Sequence, residues 1–439
     1  MGEPGIHIDW EHESWQWHDP REIIDGTLLG VPRLQDTLKR VYFETDLPVP
    51  AGKVLAISLH RMQDDRESGS RQLTTIALES FRDFISNMPT TMDEQWWRMV
   101  RLGAWHLSKN GRESMGASIL NALLAVLREL GDFIQEQQQV QQELQPRKRQ
   151  PEEEKDLHYR VLTIVDRHIG NRYTMTARIR DYLSGYLRSH CFAKGDEKRA
   201  VRVLTVSSSS TIKDTILEAF AELDAQTLDL RILESRPLYE GVTLASSVVS
   251  QFKYRFGSPS DERRLEVSVY TDASAVTAAQ HADVLLIGAD RVSAEGGVCN
   301  KIGSLSAVLG AKYTWPNLQI VVVTESDKIS PAYHGADMSN KMASNEENDP
   351  REVTAGWNAA HVKNLEELNN YLIGTGHSIH YHDEFEARIK FQVRNVYFEW
   401  VPLRLIDAII CEDGVLDTGT IAERSTSTSE CADLFFGKL

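Results

Sequence analysis

Cysteine is scarce in this 439-residue chain: Cys191, Cys299, Cys411 and Cys431 are its four, scattered and without paired spacing. Such a pattern excludes a disulfide framework, gives a structural zinc site no support, and suits a reducing compartment, with the cytosol as the default. Basic charge is also short, since 48 Lys and Arg face 64 Asp and Glu for a net charge of −16. No long basic stripe offsets that balance, so direct nucleic-acid binding is not expected, although a local basic pocket remains open. Long hydrophobic runs are missing too. No stretch reaches the roughly 20 apolar residues of a membrane span, and MGEPGIHIDWEHESWQW has no signal-peptide core. Nor do Glu3, Pro4 and Ile6 after Gly2 make a myristoylation signal. The glycine-rich turn of dinucleotide sites, the Walker loop and the HExxH spacing are all absent, so no cofactor is expected. His377, His380 and His382 cluster without a partner set for zinc, and a lid or domain-contact role suits them as well.

What is present is a change of period along the chain. An apolar share of 41% with 26% charged residues fits a globular protein, and this length calls for two or three units. Residues 1–50 are rich in Trp, Pro and acids and too small to hold a core alone; WEHESWQW alternates like an edge strand, and LLGVPRLQDTLKRVYFE reads as a short helix. Residues 51–193 read as a helical domain. Leu73, Ile76, Ala77, Phe81 and Phe84 share one face, as do Met115, Ile119, Leu123, Val126 and Leu130. A flexible linker is expected near 137–155, where QQQVQQELQPRKRQPEEE offers few apolar groups. Beyond residue 194 the short runs VRVLTVS, LDLRILESRP, LEVSVY, DVLLIGAD and LQIVVVTES alternate with helical patterns. The expected fold is therefore α/β, an N-terminal helical domain followed by a Rossmann-like doubly wound parallel sheet over residues 194–418. The tail 419–439, with its ERSTSTSE run, is expected to be mobile.

Ligands collect where parallel strands end, and four such places carry suitable side chains. TVSSSSTIK places Ser207, Ser208 and Ser209 between a strand and a helix; both a phosphate cradle and plain N-capping fit them. In ESRP, Arg236 suits either a phosphate or an acid such as Glu234 that fixes the loop. The segment DVLLIGADRVSAEGGVCNKIG delivers Asp290 to a strand end, and a glycine-containing loop returns Asn300 and Lys301 beside it. A shielded Asp290 would shuttle a proton while Lys301 lowers its pKa and holds an anion; a loop-organising salt bridge is the alternative. In KNGRES, Arg112 either reaches over the sheet edge or makes a domain-interface ion pair.

From about residue 51 to 413, the strings GRESMGASILNA, VLTVSSSSTI, ILESRPLYEG, LLIGADRVSAEGGVCNKIG and NVYFEWVPLRLIDAIICEDGV resemble the initiation factor 2B regulatory-subunit family. That family also contains methylthioribose-1-phosphate and ribose-1,5-bisphosphate isomerases. The resemblance implies a helical domain, a Rossmann-like domain, and dimers or higher assemblies built through the latter. It implies an acid–base role for Asp290, substrate-holding roles for Asn300 and Lys301, and a phosphate-facing role for Arg112. The family's catalytic cysteine falls on Ser207, and a hydroxyl is a far weaker acid than a thiol with its pKa of about 8.5. Cys299 occupies a non-catalytic position of the pattern. Residues 1–50 resemble the closing part of a Nudix domain without its acidic helix, so pyrophosphohydrolase activity is not expected.

Two functions follow from the resemblance. One is an isomerase-like protein that binds a phosphorylated pentose or similar small anion, with Asp290 as proton carrier and Lys301, Arg236 and the 207–211 hydroxyls clamping phosphate. The other is a non-catalytic regulatory or assembly subunit that kept the pocket. Partners would be a second copy or related subunits, with neither nucleic acid nor membrane. The intact Asp290, Asn300 and Lys301 favour the first; Ser207 favours the second.

Overall fold

The structure, a computed structural model, describes residues 18–24, 26–31, 34–41, 47–65, 68–110, 116–143, 150–191, 200–223, 225–332, 347–365, 368, 391–437 and 439. Two short helices, α1 (Pro20–Ile24) and α2 (Leu34–Val41), lead into α3 (Val49–Asp64), α4 (Ser70–Ser86), α5 (Glu94–Lys109), α6 (Gly116–Glu143) and α7 (Pro151–His190). Residues of both stripes legible in the sequence share one core, with Phe81, Phe84, Ile119, Leu123, Val126 and Leu130 buried together. Helix α7 joins that core to the next. Its first half contributes Leu157, Val161 and Val165 to the helical core, and its second half sends Ile179, Leu183 and Leu187 beneath the sheet.

Of the linker expected near 137–155, residues 137–143 and 151–155 are helical. Helix α6 runs to Glu143, and α7 opens at Pro151 on a reciprocal cap between Gln150 and Glu153. Proline at a first helical turn starts a helix rather than breaking one, and Glu152 to Glu154 suit the positive end of its dipole. The edge-strand reading of WEHESWQW and the 377–382 histidines lie outside the described residues.

The α/β part contains β1 (Ala200–Val206), α8 (Ser210–Glu222), β2 (Thr227–Leu233), α9 (Glu240–Phe256), β3 (Arg264–Tyr270), α10 (Ala275–Ala278) and β4 (Val284–Ile287). Next come β5 (Arg291–Ser293), β6 (Gly297–Lys301), α11 (Ser304–Thr314), β7 (Gln319–Val323), β8 (Phe398–Val401), β9 (Ala408–Cys411) and β10 (Gly414–Leu416). Seven strands form the main sheet in the order β10-β9-β7-β4-β1-β2-β3, all parallel except β10. The chain leaves β1 toward β2 and β3, then returns to β4 on the other side of β1. The crevice between the ends of β1 and β4 is therefore the topological switch point.

The stretch read as a loop returning Asn300 and Lys301 is instead strand β6, in a separate antiparallel sheet ordered β5-β6-β8. Gly297 takes φ 97°, and a Cβ there would approach Val401 O to 2.2 Å, so this hairpin needs glycine. Register pairs Arg291 with Cys299 and Lys301 with Phe398. Side chains alternate across a strand, so Val292, Val298 and Val401 enter the core of the main sheet while Cys299 and Phe398 pack with Leu73 of α4.

The expected mobile tail is a helix, Thr418–Phe436, capped by Asp417. Cys431, Phe435 and Phe436 are buried in the helical core, and hydroxyls of the ERSTSTSE run are bonded: Ser425 Oγ donates to Ser330 O at 2.7 Å and Thr428 Oγ1 to Asn121 Oδ1 at 2.7 Å. Among the described residues no helix is long and apolar enough to cross a membrane.

Candidate functional site

Strand β1 delivers Ser207 to the switch point in a left-handed conformation, φ 69°, and Ser235 does the same after β2 at φ 60°. Such backbone costs about 1–3 kcal/mol at a non-glycine residue and persists only where neighbours hold it. Here Ser207 N–H donates to Ser235 Oγ at 2.8 Å, and Ser235 N–H donates to Asp272 Oδ1 at 2.8 Å. Ser208 lies half-buried between these anchors and α8. Ser209 is the N-cap of α8, accepting from Ile212 N–H at 3.3 Å. From the facing strand, Gly288 closes on it: a Cβ there would meet Ser209 Oγ at 3.0 Å and Asn300 Oδ1 at 3.6 Å. Asn300 is buried and donates to Ser304 Oγ at 2.8 Å. Ser209, Gly288 and Asn300 thus meet at one point.

Asp290 follows directly, half-buried, its N–H donating to Cys299 O at 2.9 Å. An ammonium that faces it comes from a residue absent from the sequence-derived set, Lys328. Lys328 Nζ donates to Ala289 O at 2.8 Å and pairs with Glu325 Oε2 at 2.8 Å, an ion pair by distance rather than by hydrogen-bond angle. Burial works against charge on Lys328, but Glu325 and Asp290 outweigh it and hold its pKa above the ordinary lysine value. Next to it, Asp327 Oδ2 pairs with Arg172 Nη1 of α7 at 2.5 Å, both side chains buried. Burial raises the Asp327 pKa despite Arg172. Asn121 of α6 donates to Asp327 O and Ile329 O, each at 2.7 Å. The helical layer is therefore fastened to the sheet immediately behind Asp290.

Lys301 is engaged differently from the expectation. Its Nζ lies 3.1 Å from Glu240 Oε1 and 4.3 Å from the Tyr397 ring centroid. The other oxygen of Glu240 accepts from Ser207 Oγ at 3.2 Å. Register assigns Lys301 and Asn300 to opposite faces of the small sheet, so the ammonium joins the β2–α9 side rather than simply flanking Asp290. Arg236 is fixed by Glu234, Nε to Oε1 at 2.9 Å, which raises its pKa; its guanidinium remains 57% exposed. Beside this group lies a cavity of ≈ 280 Å³, lined by Arg236, Tyr239, Glu352, Trp357, Arg394 and Asn395 among others. Tyr397, whose ring meets Lys301, donates its hydroxyl to Glu352 Oε2. The cavity and the Lys301–Glu240 pair are thus neighbours.

Arg112 lies outside the described residues. Contributors in three segments went unread in the sequence: Glu240 in ESRPLYEG, Glu325 and Lys328 in TESDKIS, and Arg172 far upstream. The first two were signalled by charged residues at a strand end or a helix start. Arg172, inside a 40-residue helix, carried no local signal.

Ribose 1,5-bisphosphate isomerase of Archaeoglobus fulgidus is 25% identical over 219 residues, covering 50% of this chain and 55% of that protein. Methylthioribose-1-phosphate isomerase of Chloroflexus aurantiacus is 30% identical over 173 residues, covering 39% and 42%. The chain spans about half the length of the curated relatives it matches. Among solved structures, eIF2B beta from Chaetomium thermophilum superposes with a TM-score of 0.54 at 10% identity, over 88% of this chain and 94% of that one. The Pyrococcus horikoshii translation initiation factor eIF-2B gives 0.51 at 18% identity, over 84% and 98%. At these identities the likeness is one of fold. The sequence model of the Initiation factor 2 subunit family matches residues 66–418 and gives no support to the Nudix resemblance of residues 1–50. That match takes in most of the helical layer and both sheets, and it shows that the chain belongs to the Initiation factor 2 subunit family.

Proposed function

We propose that this protein binds a phosphorylated pentose, or a similar small anion, at the β1–β4 switch point, and that Asp290 moves a proton there. The observation that carries the reading is the meeting of Ser209, Gly288 and Asn300 at the mouth of the loop that bears Asp290. Two relatives named as isomerases of ribose 1,5-bisphosphate and methylthioribose 1-phosphate support the ligand class. A sugar with phosphate on C1 cannot open its ring as a free sugar does. The protein must protonate the ring oxygen and move hydrogen from C2 to C1 away from water. Half-buried Asp290 is the proton carrier in this reading. The hydroxyls of Ser207, Ser208 and Ser209 at the α8 N-terminus, with Arg236, would hold phosphate, and Asn300 and Lys301 the sugar. Arg112 keeps the phosphate-facing role its motif implies.

A second reading, a non-catalytic regulatory or assembly subunit, is favoured by Ser207 in place of the family's thiol and by burial of all four cysteines. One fold relative is a tetrameric eIF2B-beta2-delta2 complex, which supports assembly with a second copy or with related subunits. The two readings separate on incubation with ribose 1,5-bisphosphate and methylthioribose 1-phosphate. Turnover that falls about 10²–10⁴-fold in Asp290→Asn, with ligand affinity retained, is the expected result. Turnover untouched by that substitution would remove Asp290 from the chemistry, and binding without turnover would decide for the subunit.

A further inference from the structure

We propose that Glu240 sets the charge specificity of this site by holding Lys301 neutralised, so that the subsite takes sugar hydroxyls and turns a phosphate away. A lysine facing a ligand ordinarily attracts an anion. This one is enclosed: its side chain is 10% exposed, with the Tyr397 and Phe398 rings 4.3 and 5.2 Å from Nζ and Glu240 Oε1 at 3.1 Å. The carboxylate is itself held in place. It opens helix α9 after Tyr239, which takes a left-handed φ of 56°, and the next residue, Gly241, presses on β2 so closely that a Cβ would lie 1.9 Å from Leu233 O. Ser207 Oγ donates to its second oxygen at 3.2 Å. The backbone thus fixes Glu240 where it meets both the ammonium and the serine at the end of β1.

A phosphate brought within hydrogen-bond reach of Lys301 would stand against this carboxylate in a poorly hydrated corner, where like charges repel strongly. Sugar hydroxyls meet no such penalty, because Glu240 accepts from them and Lys301 donates to them. The phosphate of a phosphosugar is then left to Ser208 and Ser209, away from Glu240, and to Arg236, whose guanidinium is 57% exposed at the cavity. Glu240 is in this account a specificity-determining residue. The natural ligand rests on the phosphosugar reading above; the charge gate does not.

Inorganic phosphate is the probe. Its binding to wild type, Glu240→Gln and the double variant Glu240→Gln/Lys301→Met is measured by calorimetry and by phosphate-dependent thermal unfolding, with chloride holding ionic strength constant. Glu240→Gln is expected to bind phosphate at least about tenfold more tightly than wild type, because its ammonium is left unpaired, and the double variant to lose that gain. Equal affinity of wild type and Glu240→Gln, or a gain that survives loss of Lys301, overturns the proposal. Glu240→Ala, expected to show the same gain, provides the comparison if Glu240→Gln does not fold. Ribose 1,5-bisphosphate separates the two ideas. If wild type fails to bind it while Glu240→Gln gains phosphate, the phosphosugar reading falls and the gate stands; if both proteins bind it and phosphate equally, the gate falls alone.

Discussion

Replacing Glu325 by Gln should destabilise the protein by about 3 kcal/mol near neutral pH. The side chain is fully buried, with Oε1 accepting from Thr211 Oγ1 at 2.7 Å and Oε2 lying 2.8 Å from Lys328 Nζ. Burial alone would raise its pKa, but Lys328, Thr211 and Arg71 more than offset that and hold it at about 2, against 4.5 for the free group. At about 1.4 kcal/mol per unit this difference is roughly 3 kcal/mol, which agrees with the about 3–5 kcal/mol measured when one partner of a buried pair is removed. The folded pKa lies below the unfolded one, so the contribution is fully present above about pH 4.5 and is lost as pH falls toward 2. Urea unfolding of wild type and Glu325→Gln at several pH values reads it directly. The gap in unfolding free energy should be largest at about pH 7 and fall below roughly half by about pH 3. The double variant Glu325→Leu/Lys328→Met, which buries neither charge, should recover part of the loss. Equal midpoints at neutral pH, or a gap that widens with acid, would refute the electrostatic account.

Gly241→Ala should cost at or above the upper end of the about 1–3 kcal/mol typical of overpacking, because its Cβ would lie 1.9 Å from the backbone oxygen of Leu233. Since α9 must then move and take Glu240 with it, phosphosugar binding should weaken along with the thermal midpoint; a normal midpoint would contradict the close packing. Phe435→Ala removes a buried ring that meets Trp97 edge-on at 6.2 Å, and should cost about 3–5 kcal/mol. Limited proteolysis should then cut first within 419–439, whereas wild-type resistance there in the variant would mean that the C-terminal helix does not depend on this contact.

Much of the architecture could be read from local pattern. Core faces of α4 and α6, the five strand–helix repeats, and the arrival of Ser207–Ser209 and Asp290 at strand ends all depend on period and run length, which neighbouring residues carry. VLLI of β4 is buried at every position, as an uninterrupted apolar run implies for a central parallel strand. Long-range partners are another matter. Whether ERSTSTSE is a loose tail or a packed helix turns on Asn121 and Ser330, which lie far away in sequence. Asn300 and Lys301 look alike as adjacent polar residues, yet pairing of β6 with β5 and β8 turns one toward Ser304 and the other toward Glu240. Arg172 entered the site because a buried charge must find an opposite one, and its meeting with Asp327 depends on how the helical layer docks on the sheet; Lys328 finds Glu325 within its own turn. Amino-acid order specifies which segments become helices and strands because that information is short-range. The pairing of Lys301 with Glu240 and of Asp327 with Arg172 arises only when segments distant in sequence come into contact.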